Sequence, residues 1–292
     1  MELEEESMPF AKVDGMKIHY LQVGEGPNMV LLHGLGGNLA VWFLHMVPQL
    51  RNDFCLTAYD LRGHGKSGLP PSGYTTAHLA EDLRGLLDAL GIEKTNVLGH
   101  SWGADIAMHF AILYPERVEK VIAIEPNIAA LIDWRKSKNW EGWAFWAKRL
   151  EEFGIHVPRE RWHDVDYMLR KTVDIPIMFG PLKGRQRQSK GLIRLLDDTT
   201  IMQDYEKVAG MTLDRVKEIR RPTLALYGEK SHFLVTYEYL RDHVSNVNTI
   251  LVPNGDHYGP LEHPETVMEP IKTFLGLNGR RTAFPLVEGG MA

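Results

Sequence analysis

Five consecutive residues, Gly99-His100-Ser101-Trp102-Gly103, fit the pattern G-x-S-x-G, in which a serine hydroxyl serves as a nucleophile. The context suits that chemistry. Thr95-Asn96-Val97-Leu98 reads as a short buried strand, and Ala104 to Tyr114 carries apolar residues at helical spacing. A strand that turns abruptly into a helix leaves the serine exposed at its apex. Gly99 and Gly103 then have a steric task, because the turn is too tight for side chains beside it. The helix start behind the serine aims backbone N–H groups at the site and favours negative charge there.

A serine nucleophile needs a base, an acid that orients the base, and donors for the oxyanion. The glycine loop His33-Gly34-Leu35-Gly36-Gly37 directly follows an apolar strand and can approach a ligand closely. The backbone N–H groups of Leu35 and Trp102 are therefore assigned as the oxyanion hole. Thirteen histidines compete for the role of base. His257, on the loop Asn254-Gly255-Asp256-His257-Tyr258 after the last strand, is the candidate. His33 is read as support for the glycine loop, and His100 as pointing away from the serine's face. His232 is read as lining the pocket, and His263, before Pro264 at a helix start, as structural.

Strand and helix signals alternate around these residues. Phe10–Val13 and Lys17–Leu21 flank Asp14-Gly15-Met16, a hairpin signal. Buried strands follow at Asn28–Leu32, Phe54–Tyr59, Thr95–Leu98, Val118–Ile124, Thr223–Tyr227 and Thr249–Val252. Helices are expected at Val41–Leu50, Thr75–Leu90 (closed by Gly91), Ala104–Tyr114, Val235–His243 and Pro264–Leu275. The pattern predicts an α/β fold with a mostly parallel sheet covered on both faces. From Asn127 to about Arg221 the strands stop. The expected domains are a core of residues 1–126 and 222–277, a helical lid of residues 127–221, and a tail of residues 278–292.

The bulk properties narrow the function. The 292 residues, 44% of them hydrophobic, suffice for a large core. A net charge of −5 gives no reason to expect nucleic acid. The single cysteine, Cys55, is expected in the core, with no intrachain disulfide. The acidic start MELEEESMPF lacks the features of a signal peptide, and no apolar run is long enough to span a membrane, so a cytoplasmic protein is expected. Arg135, Lys136, Lys138, Lys183, Arg185, Arg187 and Lys190 make the lid basic. They read first as a solvated face and second as an attraction for an acidic substrate.

HGLGG at 33–37, DLRGHGKS at 60–67, GHSWG at 99–103 and HYGPLEHP at 257–264 together resemble the lidded α/β-hydrolases, the esterase, lactonase and haloperoxidase-like group. The resemblance spans the whole core and implies an eight-stranded sheet with an inserted helical lid. Asp60 and Arg62 are expected to anchor loops beneath the pocket. The chain departs from the group at the acid. Relatives commonly carry an aspartate in a Gly-Glu-x-Asp context, whereas Gly228-Glu229-Lys230-Ser231 ends on a serine here. A serine cannot hold the histidine tautomer by charge. Glu125, after the strand Val118–Ile124, matches the acid position of some lidded members and would need a partner such as His257. The expected set is Ser101, His257 and Glu125, with Glu229 the second candidate for the acid and Asp256 the third.

This set implies hydrolysis of a carboxylic ester or lactone through an acyl-enzyme, with no metal or organic cofactor. Similar haloalkane dehalogenases and epoxide hydrolases use aspartate where Ser101 stands. Carbon–carbon bond hydrolysis, perhydrolysis and ligand binding with slow turnover are the alternatives. Trp134, Trp140, Trp143, Trp146 and Trp162, with Phe145 and Met178, suggest either a small to medium-sized apolar or aromatic substrate or the lid's own core. Whether the chain works as a monomer or a homodimer is left open.

Overall fold

The chain enters its sheet through a tight hairpin. Strand β1 (Phe10–Val13) pairs with β2 (Met16–Val23), Val13 opposite Met16. Asp14 and Gly15 between them both take positive φ, the backbone that a two-residue hairpin demands. The computed structural model describes residues 9–134, 140–173, 175, 190–258 and 263–277. The remaining strands are β3 (Asn28–Leu32), β4 (Cys55–Tyr59), β5 (Thr95–His100), β6 (Val118–Ile124), β7 (Thr223–Gly228) and β8 (Val247–Val252). They form one eight-stranded sheet in the order β1-β2-β4-β3-β5-β6-β7-β8. It is antiparallel from β1 to β4 and parallel from β4 through β8.

The central strands are apolar on both sides because both sides are covered. Val97, Val121, Ala123 and Ala225 feed one core layer, with residues of helices α3 (Thr76–Ala89) and α4 (Trp102–Leu113). Their neighbours Leu98, Ile122, Ile124, Leu224 and Leu226 feed the other, with residues of α1 (Ala40–Phe43) and α2 (Met46–Leu50). The period of two residues thus sorts one apolar run into two cores.

Two local expectations need correction. The helix expected over 41–50 is two short helices, broken at Leu44 and His45. Pro48 explains the break: in a continuous helix it would leave the Leu44 carbonyl without a donor and clash with it. Cys55 is half-buried, as the first residue of β4, rather than a core residue. Burial still raises its thiol pKa, which works against a reactive thiolate.

Between β6 and β7 the chain forms α5 (Glu141–Glu151), α6 (Val165–Thr172), α7 (Lys190–Asp197), α8 (Ile201–Asp204) and α9 (Leu213–Lys217), with no strand among the described residues. Ala147, Leu150, Val157, Met168 and Ile175 build a small core there, and Trp146 and Trp162 pack on it. Trp146 and Trp162 therefore serve these helices themselves, while Trp140 and Trp146 also pack on the first core layer. Arg135, Lys136, Lys138, Met178, Lys183, Arg185, Arg187, Gly259 to Glu262 and the expected tail 278–292 lie outside the described residues. Helix α10 (Leu234–His243) follows β7, and α11 (Glu265–Leu275) packs on the second core layer. Among the described residues no helix is long and apolar enough to cross a membrane.

The junction of β5 and α4 depends on two missing side chains. A Cβ on Gly99 would stand 2.1 Å from the Gly103 carbonyl oxygen, and one on Gly103 would stand 2.2 Å from that of Leu32. Backbone atoms cannot yield by that much, so Gly99→Ala and Gly103→Ala should each cost at least about 3 kcal/mol of stability. Urea unfolding checks this, and a loss below about 1 kcal/mol would contradict it.

Candidate active site

Four adjacent strands deliver the chemistry at their carboxyl ends. β5 runs into Ser101, β6 into Glu125, β7 into the turn holding Ser231, and β8 into the loop holding His257. Ser101 has φ 55° and ψ −122°, a conformation unfavourable for a residue with a side chain. The turn is held in place because the Ser101 N–H donates to the Ile124 carbonyl of β6 at 2.8 Å.

The Ser101 hydroxyl lies 3.1 Å from His257 Nε2, and His257 Nδ1 lies 3.3 Å from Glu125 Oε2. Residues 101, 125 and 257 are thus brought together as one line of hydrogen bonds. In the productive tautomer, Nδ1–H donates to the carboxylate and Nε2 accepts from the serine. Glu125 has no exposed surface and His257 is 7% exposed. Burial pushes the Glu125 carboxyl pKa up, opposed by donors on both its oxygens, the Gly228 N–H at 2.6 Å and the Ser231 hydroxyl at 2.5 Å.

The other candidate acids point elsewhere. The Glu229 side chain is exposed and accepts the Asn254 N–H at 2.9 Å. Asp256 accepts the N–H of Tyr258 at 2.9 Å. Ser231, where relatives place an aspartate, is instead a donor to Glu125.

The glycine loop is braced by two histidines. His33 Nδ1–H donates to the Gly34 carbonyl at 2.8 Å, and His33 Nε2 accepts the Leu61 N–H at 3.1 Å. His64 Nδ1–H donates to the Arg62 carbonyl at 2.9 Å, and its Nε2 accepts the Gly36 N–H at 3.1 Å. Each ring needs one protonated and one bare nitrogen, so each must stay neutral. Burial does this, lowering His33 and taking His64 to about 3. The loop runs close to Ser101, since a Cβ on Gly34 would stand 3.2 Å from that of Ser101. Trp102 N–H, at the first position of α4, and Leu35 N–H have no partner among the described residues. Asp60 ties the DLRGHGKS turn down, accepting N–H groups of Leu39 and Lys66 while bonding His19. Arg62 is paired to Asp82.

Sequence reasoning missed the role of His100. Its Nε2–H donates to the His257 carbonyl at 3.0 Å, with the two rings 5.1 Å apart, so it props the His257 loop. No local spacing could reveal a partner that far along the chain. His232 does border the site, with its ring 5.2 Å from that of His257 and packed by Phe145 and Trp140. Phe233 and Tyr258 complete the aromatic border of His257. From the opposite side, Leu192 of α7 reaches to 3.6 Å from a Cβ placed on Gly36. Among the described residues no cluster of three or more His, Cys, Asp or Glu side chains is disposed to hold a metal ion.

With this geometry in hand, comparisons place the chain among known proteins. A family model described as the alpha/beta hydrolase fold matches residues 27–264. The chain is 37% identical over 295 residues to epoxide hydrolase 4 of Mus musculus, covering 92% of this chain and 79% of that protein. It is 39% identical over 111 residues to epoxide hydrolase 3 of Siraitia grosvenorii, covering 37% of this chain and 35% of that one. Several such curated relatives are matched over only about a third of their own length. Among solved structures, Est816, described as an N-acyl homoserine lactone degrading enzyme, is 23% identical with a TM-score of 0.66, over 91% of this chain and 100% of that one. The carboxylesterase CesB of Bacillus subtilis is 20% identical, also with a TM-score of 0.66, over 91% of this chain and 90% of that one. At such identities the structural matches establish the fold alone.

The buried histidines make a pH signature. His64 and His100 are lowered to about 3, His109 to about 4, and His33 in the same direction, all chiefly by burial. The unfolded chain takes up these protons below about pH 6.5 while the folded chain does not, so acid favours unfolding. Glu125, raised by burial, opposes this in part, because the folded chain takes up a proton there more readily than the unfolded chain does. The histidines outnumber it. Lowering the pH from about 6.5 to about 5.5 should therefore cost more than about 1 kcal/mol of stability. Urea midpoints at the two values read it, and an unchanged midpoint would contradict it.

Proposed function

Because the chain belongs to the α/β-hydrolase fold family, we propose that it is a serine hydrolase that cleaves a carboxylic ester or lactone through an acyl-enzyme. The observation that carries the reading is the line Ser101 Oγ–His257 Nε2, 3.1 Å, continued by His257 Nδ1–Glu125 at 3.3 Å. In the first half-reaction the Ser101 proton passes to His257 Nε2 as Oγ attacks the substrate carbonyl carbon. The oxyanion is met by the Leu35 and Trp102 N–H groups. Glu125 stabilises the imidazolium, which then protonates the leaving alkoxide. In the second half-reaction water gives a proton to His257 and attacks the acyl carbon, and His257 returns that proton to Ser101 Oγ as its bond to the acyl carbon breaks, releasing the acid and free Ser101.

The nature of the nucleophile also separates this reading from epoxide opening, the activity named for several relatives. A serine oxygen opening an epoxide would form an alkyl ether, which this machinery has no acyl carbon to hydrolyse. A serine ester is hydrolysable, so Ser101 suits acyl transfer. The lactone-degrading and carboxylesterase neighbours agree with this class. The aromatic border of His257, made by Phe233, Tyr258 and His232 backed by Phe145 and Trp140, favours a small to medium-sized apolar or aromatic substrate. The helices between β6 and β7 serve as its lid, with Leu192 closing over the glycine loop.

Incubation with a fluorophosphonate should give one covalent adduct per chain, absent in Ser101→Ala. Hydrolysis of p-nitrophenyl esters should fall by about 10³-fold or more in Ser101→Ala and by at least about 10²-fold in Glu125→Gln. Adduct formation that persists in Ser101→Ala, or a folded wild type that neither labels nor hydrolyses any of a panel of esters and lactones, would overturn the proposal.

A further inference from the structure

Glu125 Oε2 carries two donors at once, and the nearer is not the base. The Ser231 hydroxyl stands 2.5 Å from it, whereas His257 Nδ1 stands 3.3 Å away. The second carboxylate oxygen takes the Gly228 N–H at 2.6 Å. Ser231 is itself fixed. It is 5% exposed, and its N–H donates to the Gly228 carbonyl at 3.0 Å. Its Oγ accepts the Phe233 N–H, also at 3.0 Å. A hydroxyl has one hydrogen to give. With a backbone donor occupying one lone pair of Oγ, that hydrogen is directed at Glu125.

We propose that Ser231 is a positioning residue whose hydroxyl holds the Glu125 carboxylate ionised and turned toward His257. This rests on the serine-hydrolase reading above and adds to it a residue that acts through Glu125. Glu125 lies in a site whose burial favours the protonated carboxyl, and donors to the carboxylate are what oppose that. Loss of the Ser231 hydroxyl leaves Oε2 with His257 alone, and the carboxyl takes up its proton at higher pH. A protonated Glu125 no longer stabilises the imidazolium. The other ionisable groups facing Glu125 are His100, Tyr227 and Asp256. Burial holds His100 neutral, with a pKa of about 3, and holds Tyr227 neutral by raising its phenol, whose O–H donates to the Pro126 carbonyl. Asp256 contributes a negative charge that pushes Glu125 up further. No substitution at Ser231 removes these three.

The test follows the rate of fluorophosphonate labelling and of p-nitrophenyl ester hydrolysis across pH for wild type, Ser231→Ala, Ser231→Thr and Ser231→Cys. Circular dichroism verifies folding. Ser231→Ala should lower kcat about tenfold with KM little changed, and should move the acid limb of both profiles up by about one pH unit. Ser231→Thr keeps the hydroxyl and should return the limb toward the wild-type position. Ser231→Cys, with its weak donor, should lie between and serves if the alanine variant does not fold. An acid limb that stays in place in the alanine and cysteine variants, while Glu125→Gln is impaired, would overturn the role of Ser231 and leave the proposed function standing. A wild type that fails to label would overturn both.

Discussion

Glu125 has no exposed surface, and a carboxyl group taken out of water must either find donors or give up its charge. Much of the site is arranged to answer that demand. β7 supplies the Gly228 N–H, the turn after it supplies the Ser231 hydroxyl, and the loop after β8 supplies His257. Those donors oppose the effect of burial, which favours the neutral acid. The positive φ of Glu125, 56°, belongs to the same constraint, since the chain turns out of β6 there and leaves the side chain facing the sheet's neighbouring strand ends.

Ser101 is held by a related device one strand away. Ser101 and Glu125 both take positive φ, a backbone strain of about 1–3 kcal/mol each. Both are anchored by a sheet-like bond to the next strand, Ser101 N–H to Ile124 and Glu125 N–H to Leu226, each at 2.8 Å. The parallel register that aligns His100 with Ile124, and Ile124 with Leu226, therefore sets the spacing of Ser101 and Glu125. Neutral, buried histidines hold the loops on either side: His33 and His64 brace the glycine loop, and His100 the His257 loop. The candidate site and the acid sensitivity expected of the fold thus draw on the same residues.

What was legible in the sequence was what local spacing encodes. G-x-S-x-G between a strand and a helix places Ser101 at a turn, and alternating apolar runs imply the two-layered parallel sheet. Glu125 was reachable because it stands where some lidded α/β-hydrolases place the acid, and because a carboxylate at the end of a core strand needs a partner. Excluding Glu229 required tertiary structure, since only the fold shows its side chain outside, bonded to Asn254. Ser231 and His100 were opaque for one reason. A hydroxyl or imidazole acting on a partner more than a hundred residues away leaves no periodic trace. The break at Leu44 and His45 was within reach, because Pro48 forbids a continuous helix. The apolar pattern alone overrode that signal.

The central claim is that Ser101 becomes an ester of the substrate's acyl group, with His257 and Glu125 as its proton relay. Rapid acid quench of the wild type mixed with a p-nitrophenyl ester, followed by intact mass and peptide mapping, tests it most directly. The account predicts an acyl adduct on the peptide containing Ser101, formed in step with a burst of p-nitrophenol. Turnover without an adduct there, or an adduct on another residue, would contradict it.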